Sequence, residues 1–360
     1  MGRLLAAILV FALASGSRAQ GQTQSVSKHD RDGTFYGTSI LADCDGLKSV
    51  YIPVNFASDP PGAEVFMDGV SIGATPKTLM FTGCDVGGKV LLRSQRTSVQ
   101  LVFAKEGYIP LATKMELASV NEMNTGPVTY GYFALPQRDY SAKLDAIEEQ
   151  EASQTDAVQR VMRDARGAMV MIVARDGGIG SGFLVRENGV VATSDITGVK
   201  GWSGATIILP NGRPIQTFGT CWNVGGGPGG VNVLKVSGSG FKFLPLNNAF
   251  KSGIDVIALG TSGIETSAAV VKQGRVTGAF DTKLAHDKNS AEWLETDAAI
   301  TMGNTGGPLL DMQGEVVGLS IMKDLRPGQS DDSVALPASE LDAIVKSCQV
   351  PWTSAHSHHF

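Results

Sequence analysis

Short runs of β-branched and aliphatic residues, separated by glycine-rich turns, are the feature that most restricts the fold of this chain. Glycine accounts for 44 of the 360 residues. Runs of this length, each bounded by turn residues, are typical of strands in a sandwich or a barrel. The clearest runs are 168–173, 206–209, 231–236, 256–259 and 316–321. The sequence therefore predicts a mainly β protein.

One motif in the second half of the chain is specific enough to suggest a family. Gly303–Leu309 reads GNTGGPL, with TDAAI at Thr296–Ile300 before it and GEVVGL at Gly314–Leu319 after it. The segment resembles the nucleophile loop of HtrA/DegP-type trypsin-like serine proteases, G-N-S-G-G-P-L, with Thr305 at the serine position. The resemblance covers residues 167 to about 347. It implies a trypsin-like double β-barrel, each barrel six-stranded and antiparallel, and a short terminal helix from Ala338 to Lys346.

The other two positions of the catalytic triad follow from the same resemblance. The segments Gly180–Val185 and Gly189–Thr197 resemble the family's histidine region and place Ile196 at the catalytic histidine. The segment Gly230–Val236 resembles the aspartate region and places Gly230 at the aspartate. By this comparison Ile196, Gly230 and Thr305 replace all three members of the triad.

These replacements remove the chemistry of the triad. A serine hydroxyl becomes nucleophilic when an imidazole takes its proton and a carboxylate orients that imidazole. Isoleucine accepts no proton, and glycine orients nothing. A threonine nucleophile needs an adjacent base such as its own terminal amine, whereas Thr305 is internal. We therefore expect no protease activity, and we interpret Thr305 as a tight-turn residue whose hydroxyl bonds locally.

No other residue offers itself as a replacement base or a metal ligand. The resemblance puts none of the five histidines beside the nucleophile; they are His29, His286, His356, His358 and His359. The last three belong to a tail that we expect to be frayed. Two Asp-x-Asp-Gly segments, 30–33 and 43–46, lack the later ligands of a calcium loop. The sequence predicts no metal and no cofactor.

The N-terminus has the features of a signal peptide. Residues 1–19 combine an early arginine, an apolar run from Leu4 to Ala14 and a small-residue cleavage site after Ala19. The apolar run is shorter than the roughly 20 residues that span a bilayer. The mature protein is therefore predicted to be periplasmic or secreted, with no transmembrane segment. Cleavage removes two arginines and no acid, which takes the net charge from −5 to −7, so nucleic acid is not an expected partner.

Residues 50–118 carry a second pattern. The core Pro60-Pro61-Gly62-Ala63 is followed by Asp68-Gly69, by GATP at Gly73–Pro76 and by KEGY at Lys105–Tyr108. This segment resembles the PEGA domain, which implies a small β-sandwich serving as an accessory module without catalytic groups. From the residues themselves, Val50–Phe56 alternates as a strand does, and Asp68-Gly69 predicts a hairpin turn.

Four cysteines, Cys44, Cys84, Cys221 and Cys348, allow three pairings. An exported protein is permitted disulfides. Cys44–Cys84 is favoured because the pair brackets the start of the PEGA-like domain. Cys221–Cys348 is favoured because the resemblance implies a terminal helix folded back on the first barrel.

The remaining segments complete the predicted organisation. Residues 20–49 form an N-terminal segment, 119–166 a linker with a helix, 167–350 the trypsin-like domain and 351–360 a tail. Tyr140–Arg166 is rich in helix formers but has an incomplete apolar stripe. We therefore interpret it as a surface helix that connects the domains, rather than one that docks on a domain or mediates self-association.

Together these features predict a non-catalytic exported pseudoprotease that binds or scaffolds other proteins of a bacterial envelope assembly. An active serine-type endopeptidase or hydrolase with an unorthodox site is the alternative, and a purely structural envelope subunit is a third interpretation. The identity of the partners and homo-oligomerisation are left open. The backbone amides of Gly303 and Thr305 are candidates for a vestigial oxyanion hole. We expect the loop to have withdrawn them, because there is no catalysis for them to serve.

Overall fold

The computed structural model describes residues 44, 46–94, 97–119, 131–135, 137–146, 157–174, 177–194, 205–223, 230–249, 251–261, 270–283, 290–321 and 333–348. Within these ranges no helix has the length and apolar character needed to cross a membrane. The described chain forms a two-sheet N-terminal domain followed by two closed barrels, so the predicted mainly β fold is confirmed.

Ten strands build the N-terminal domain. They are β1 (Ser49–Asp59), β2 (Glu64–Met67), β3 (Val70–Ala74), β4 (Lys77–Val86), β5 (Lys89–Ser94), β6 (Ser98–Ala104), β7 (Leu111–Glu116), β8 (Ala118–Ser119), β9 (Gly131–Ala134) and β10 (Asp139–Lys143). One sheet has the order β10-β1-β4-β5-β9-β8 and the other the order β3-β2-β6-β7. The likeness of this sandwich to the PEGA family stays a prediction.

Side-chain alternation explains why the two sheets face each other. On β1, Ile52, Val54 and Phe56 are buried while the residues between them are exposed, as expected of a strand with one solvated face. The predicted hairpin turn lies between β2 and β3, where Asp68 and Gly69 have φ values of +46° and +78°. Two consecutive left-handed residues fit the tight turn that joins twisted antiparallel strands.

The N-terminal domain extends beyond its predicted end at residue 118. Strand β10 pairs in parallel with β1, opposite Asn55 to Asp59, and Tyr140 stacks on Phe56 with ring centroids 5.8 Å apart. The prediction of a linker over 119–166, with helix from Tyr140, was therefore wrong for this part. Helix formers nearby concealed a short strand whose Tyr140 and Ala142 alternate with exposed residues.

A second apolar face of the N-terminal domain docks on the first barrel. Strand β6 sends Leu101 and Phe103 into the sandwich core and turns Val102 the other way. We call the resulting contact the domain-interface cluster; its buried members are Phe66, Val102, Ala104, Ala112, Met171, Val173 and Ile208. The amide of Gly107 also donates to the carbonyl of Asn211 at 2.8 Å. The β3-β2-β6-β7 sheet is thus covered on both faces.

The two barrels confirm the predicted double-barrel fold. The first contains β11 (Met169–Val173), β12 (Ile179–Arg186), β13 (Val190–Ser194), β14 (Thr206–Ile208), β15 (Pro214–Asn223) and β16 (Val231–Val236). The second contains β17 (Asp255–Gly260), β18 (Val270–Lys283), β19 (Ser290–Thr296), β20 (Pro308–Asp311), β21 (Val316–Ile321) and β22 (Ser333–Pro337). Each barrel has six strands. Neighbouring strands run antiparallel, as in the pairs β11–β12 and β13–β16 of the first barrel and β17–β18 and β21–β22 of the second.

Two helices pack against the barrels. Helix α2 (Ala338–Ser347) follows the second barrel, as predicted. Helix α1 (Ala157–Arg166) buries Val161 and Ala165 against the barrel core. Val158 and Met162 pack beside them, which gives the i, i+3, i+4, i+7 spacing of a docked helix face. The interpretation of this helix as a surface connector was wrong, because the stripe is complete once the helix begins at Ala157 instead of Tyr140.

The disulfide between Cys44 and Cys84 is confirmed, with Cα atoms 5.3 Å apart. It ties the start of the described chain to β4. Cys348, at the end of α2, is also disulfide-bonded. The side chain of its predicted partner, Cys221, lies outside the described residues.

Candidate functional site

The GNTGGPL motif forms a tight turn between the second-barrel strands β19 and β20. Two glycines permit it to lie against the end of β17. A Cβ atom added to Gly307 would be 1.9 Å from the carbonyl oxygen of Leu259. A Cβ atom added to Gly260 would be 2.0 Å from the carbonyl oxygen of Gly303. These positions need glycine because backbone approaches backbone at distances that no side chain allows. We call residues 301–306 the nucleophile loop, because Thr305 is predicted to occupy the position of the catalytic serine.

Thr305 is buried in this loop and makes only local hydrogen bonds among those described. It is 2% exposed. Its hydroxyl donates to the carbonyl of Thr301 at 3.0 Å, and its amide donates to the same carbonyl at 3.0 Å. This arrangement confirms the interpretation of Thr305 as a turn residue with a locally bonded hydroxyl. The acceptor of the hydroxyl is a backbone carbonyl, which cannot act as a general base.

Asn304 closes the loop from the inside. Its side chain is fully buried, and its Oδ1 atom accepts a hydrogen bond from the amide of Thr301 at 2.6 Å. The amide of Asn304 donates back to the Thr301 carbonyl at 3.2 Å. Such side-chain-to-backbone bonds are the usual means by which asparagine stabilises a turn. The loop is therefore held by its own polar groups.

The candidate oxyanion hole at Gly303 and Thr305 is not formed in this structure. An oxyanion hole requires amides that point at the position of the developing negative charge. The Thr305 amide instead donates inside the loop to Thr301, so it is unavailable to a ligand. The carbonyl of Gly303 points toward the first barrel, where it accepts a hydrogen bond from the Ser181 hydroxyl at 2.8 Å.

Of the two other predicted triad positions, the structure describes one. Gly230 is buried immediately before β16, and its neighbour Val231 pairs with Ser194 at the end of β13. Ile196 lies outside the described residues, as do all five histidines. No cluster of three or more histidine, cysteine or acidic side chains that would suit a metal ion occurs in the described part of the chain.

Sequence reasoning missed the residues that tie this loop to the first barrel. Ser181 donates to the loop carbonyl of Gly303 and accepts a hydrogen bond from the amide of Thr261. Ser181 belongs to the Gly180–Val185 segment, which served above only to align the histidine region. The position of Ser181 between Gly180 and Gly182 was the one sequence feature that could have suggested a hydrogen bond to a nearby backbone.

A buried carboxylate fastens the terminal helix to the first barrel. Asp342 Oδ1 lies 2.7 Å from Arg186 of β12, and its Oδ2 lies 2.7 Å from Lys346 one turn further along α2. Asn248 donates to Oδ2 at 3.3 Å. Burial alone would raise the pKa of Asp342, but the hydrogen bonds from Lys346 and Arg186 outweigh it and hold the pKa below its ordinary value.

Asp342→Asn is expected to lower the free energy of unfolding by about 2 kcal/mol at neutral pH, since charge-assisted hydrogen bonds to a buried carboxylate are lost. Because the folded pKa is depressed, this contribution is present above the unfolded pKa of about 3.9 and is lost as the pH falls through the folded pKa. Urea unfolding of both proteins from pH 7 to pH 2 measures it. The two curves should begin to converge at about pH 4 and should meet only below the depressed folded pKa.

The matched control for this prediction is Asp255→Asn. Asp255 pairs with Arg275 at 2.6 Å, but both side chains are more than half exposed. Exposed pairs contribute about 0–1 kcal/mol. Equal losses for Asp342→Asn and Asp255→Asn would show that burial of the Asp342 carboxylate has no energetic role.

Comparisons with known proteins agree with a trypsin-like fold. Residues 180–319 match the trypsin-like peptidase domain. A probable periplasmic DegP-like serine endoprotease of Brucella suis biovar 1 is 30% identical over 178 residues, covering 46% of this chain and 32% of that protein. The mitochondrial serine protease HTRA2 of Drosophila pseudoobscura pseudoobscura is 29% identical over 147 residues, covering 40% and 34%.

A solved structure gives a weaker likeness. The Rv3671c protease in its inactive form has a TM-score of 0.44 and 19% identity over 56% of this chain and 98% of that one. The chain spans about a third of the length of the curated relatives named above. The two closed barrels and the match over residues 180–319 define a trypsin-like peptidase domain. Over this region the chain is similar to serine proteases of the HtrA/DegP type.

Proposed function

We propose that this protein is a non-catalytic member of the HtrA/DegP family that binds or scaffolds other proteins. The observation that carries the proposal is the state of Thr305, whose hydroxyl and amide both donate to the carbonyl of Thr301. Because the Thr305 hydroxyl donates to this carbonyl, it does not donate its proton to a base. Because the Thr305 amide donates to the same carbonyl, it is not available as a donor in an oxyanion hole. The isoleucine and the glycine at the other two triad positions agree with this state.

Two buried hydroxyls near the loop give independent support. Ser194 and Ser320 are 1% and 0% exposed, and within the described residues their Oγ atoms have no hydrogen-bond partner. They flank Gly306: its amide donates to the Ser320 carbonyl at 2.8 Å, and a Cβ atom on it would lie 3.1 Å from the Ser194 amide nitrogen. Buried polar groups are normally paired. We take these unpaired hydroxyls as support for a site that lacks the polar side chains of an active protease.

The proposed setting is a bacterial envelope. The signal-peptide pattern of residues 1–19, which lies outside the described residues, supports export, and the Brucella relatives are named as probable periplasmic proteins. N-terminal sequencing of the processed protein tests this part of the proposal, with Gln20 expected as the first residue. In this proposal the protein acts by contact, through its N-terminal domain or through the region between its two barrels.

The wild-type protein is expected to leave reduced, unfolded casein intact and to resist labelling by a serine-directed fluorophosphonate. Thr305→Ser is expected to give the same result, because no imidazole accepts its proton. Gel electrophoresis of the casein and fluorescence of the labelled protein provide the measurement.

Thr305→Ala is the control, because it removes the hydroxyl and leaves the loop sequence otherwise unchanged. Hydrolysis by the wild-type protein that disappears in Thr305→Ala would contradict the proposal. That result would favour the alternative of an active endopeptidase or hydrolase with an unorthodox site. Hydrolysis that persists in Thr305→Ala would identify a contaminating protease.

A further inference from the structure

Ser181 connects the first barrel to the nucleophile loop of the second. It lies on β12, its side chain is buried, and its Oγ atom donates to the carbonyl of Gly303 at 2.8 Å. The same oxygen accepts a hydrogen bond from the amide of Thr261 at 2.8 Å. Thr261 directly follows β17 of the second barrel. One hydroxyl thus holds two segments of the second barrel.

Thr261 strengthens this connection. Its own hydroxyl donates to the carbonyl of Val170 on β11 at 2.9 Å. The segment after β17 is therefore bonded to both β11 and β12 of the first barrel. Since a barrel strand moves little relative to its neighbours, Ser181 is a fixed point from which the Gly303 carbonyl is positioned.

The C-terminal end and the middle of the turn are fixed in different ways. Its C-terminal end is bonded to β21 of its own barrel, through the amide of Gly306 to the Ser320 carbonyl and the amide of Ser320 to the Gly307 carbonyl. The middle of the turn, at Gly303, is bonded to the first barrel through Ser181. The orientation of the peptide groups at 303–305 therefore depends on a contact between barrels.

We propose that Ser181 is a positioning residue that holds the nucleophile loop in its withdrawn form, with the Thr305 amide turned inward. The hydroxyl draws the Gly303 carbonyl toward the first barrel, and the following peptide groups then complete the turn in which Thr305 donates to Thr301. A segment that enters between the barrels and displaces this hydroxyl releases the turn and frees the Thr305 amide. The inference deepens the proposed function, since it takes the withdrawn form as the resting state.

Hydrogen exchange of the Thr305 amide tests this role without requiring any activity. Ser181→Ala in the full-length protein is expected to accelerate exchange at Thr305 about tenfold, the change that follows from the loss of about one net hydrogen bond. Amides in the strands of the second barrel, such as those of Ala258 and Leu310, should keep their wild-type rates. Amide-resolved mass spectrometry with electron-transfer fragmentation separates these positions.

Thr193→Val is the matched control. The Thr193 hydroxyl donates to the carbonyl of Ser181 at 2.7 Å, so this variant removes a buried hydrogen bond at the same residue without removing the bond to Gly303. Exchange at Thr305 should remain close to the wild-type rate. An unchanged rate at Thr305 in Ser181→Ala would overturn the proposal, and so would equal acceleration throughout the second barrel. Casein hydrolysis by the wild-type protein would refute the proposed function and leave this exchange result standing.

Discussion

Gly307→Ala is expected to lower the free energy of unfolding by about 3 kcal/mol or more, at the upper end of what overpacking costs. The added methyl would lie 1.9 Å from the carbonyl oxygen of Leu259 and 3.1 Å from that of Asn304. Both atoms are backbone, and Leu259 lies in β17, which is paired on both sides. A side chain can rotate away from such a contact, whereas these carbonyls move only if the barrel moves. Urea unfolding measures the loss.

Gly314→Ala separates this steric effect from the general effect of replacing glycine. Gly314 has a φ of +83°, and a Cβ atom there would have no neighbour within 4 Å. Its replacement should cost about 1–2 kcal/mol, the strain of a left-handed residue with a side chain. If Gly307→Ala costs no more than Gly314→Ala, the close approach of Gly307 to β17 is not as described.

Phe66→Ala is expected to destabilise the protein by about 3–5 kcal/mol, the range for a buried phenylalanine. Phe66 is 2% exposed, and it belongs to the domain-interface cluster with Met171, Val173 and Ile208 rather than to the sandwich core. The loss therefore reports on the contact between the domains. Urea unfolding followed by intrinsic fluorescence, with limited proteolysis of the folded protein, measures it. Faster cleavage between the domains should accompany the lower stability.

Phe243→Ala serves as the control because it deletes the same side chain from an exposed position. Phe243 is 41% exposed, and surface substitutions usually change stability by about 0.5 kcal/mol or less. Similar losses for the two variants would mean that the domain-interface cluster contributes little to stability. A large loss for Phe66→Ala without faster interdomain cleavage would place its effect inside the N-terminal sandwich.

The barrels were predictable because their strands are short, apolar and bounded by glycine, and because the GNTGGPL motif pointed to a family. The region between the domains was not. Tyr140 and Ala142 form too short an alternation to compete with the helix formers around them. The burial of Val161 and Ala165 on α1 can be predicted only when the first residue of the helix is known. A shift in that boundary changes which residues are counted as one apolar face.

At the site, the sequence identified Thr305 and the local character of its hydrogen bond, because both depend on neighbours in the chain. It did not identify the tie between Ser181 and Gly303, whose partners are 122 residues apart. Hydrogen bonds between segments that are distant in the chain depend on how the two barrels pack. That packing cannot be predicted from the residues of a single sequence. The withdrawal of the Thr305 amide was expected on functional grounds, but its acceptor, Thr301, came only from the structure.

The covering of the β3-β2-β6-β7 sheet on both faces has a consequence for the order in which the chain folds. Strand β10, which completes the partner sheet beside β1, ends at Lys143. Phe66 and Val102, however, remain without their cover until β11 and β14 have been made, and β14 ends at Ile208. A chain emerging from its N-terminus therefore exposes an apolar sheet face while 65 further residues are added. Throughout that interval this exposed apolar face is the part of the nascent domain most prone to aggregation.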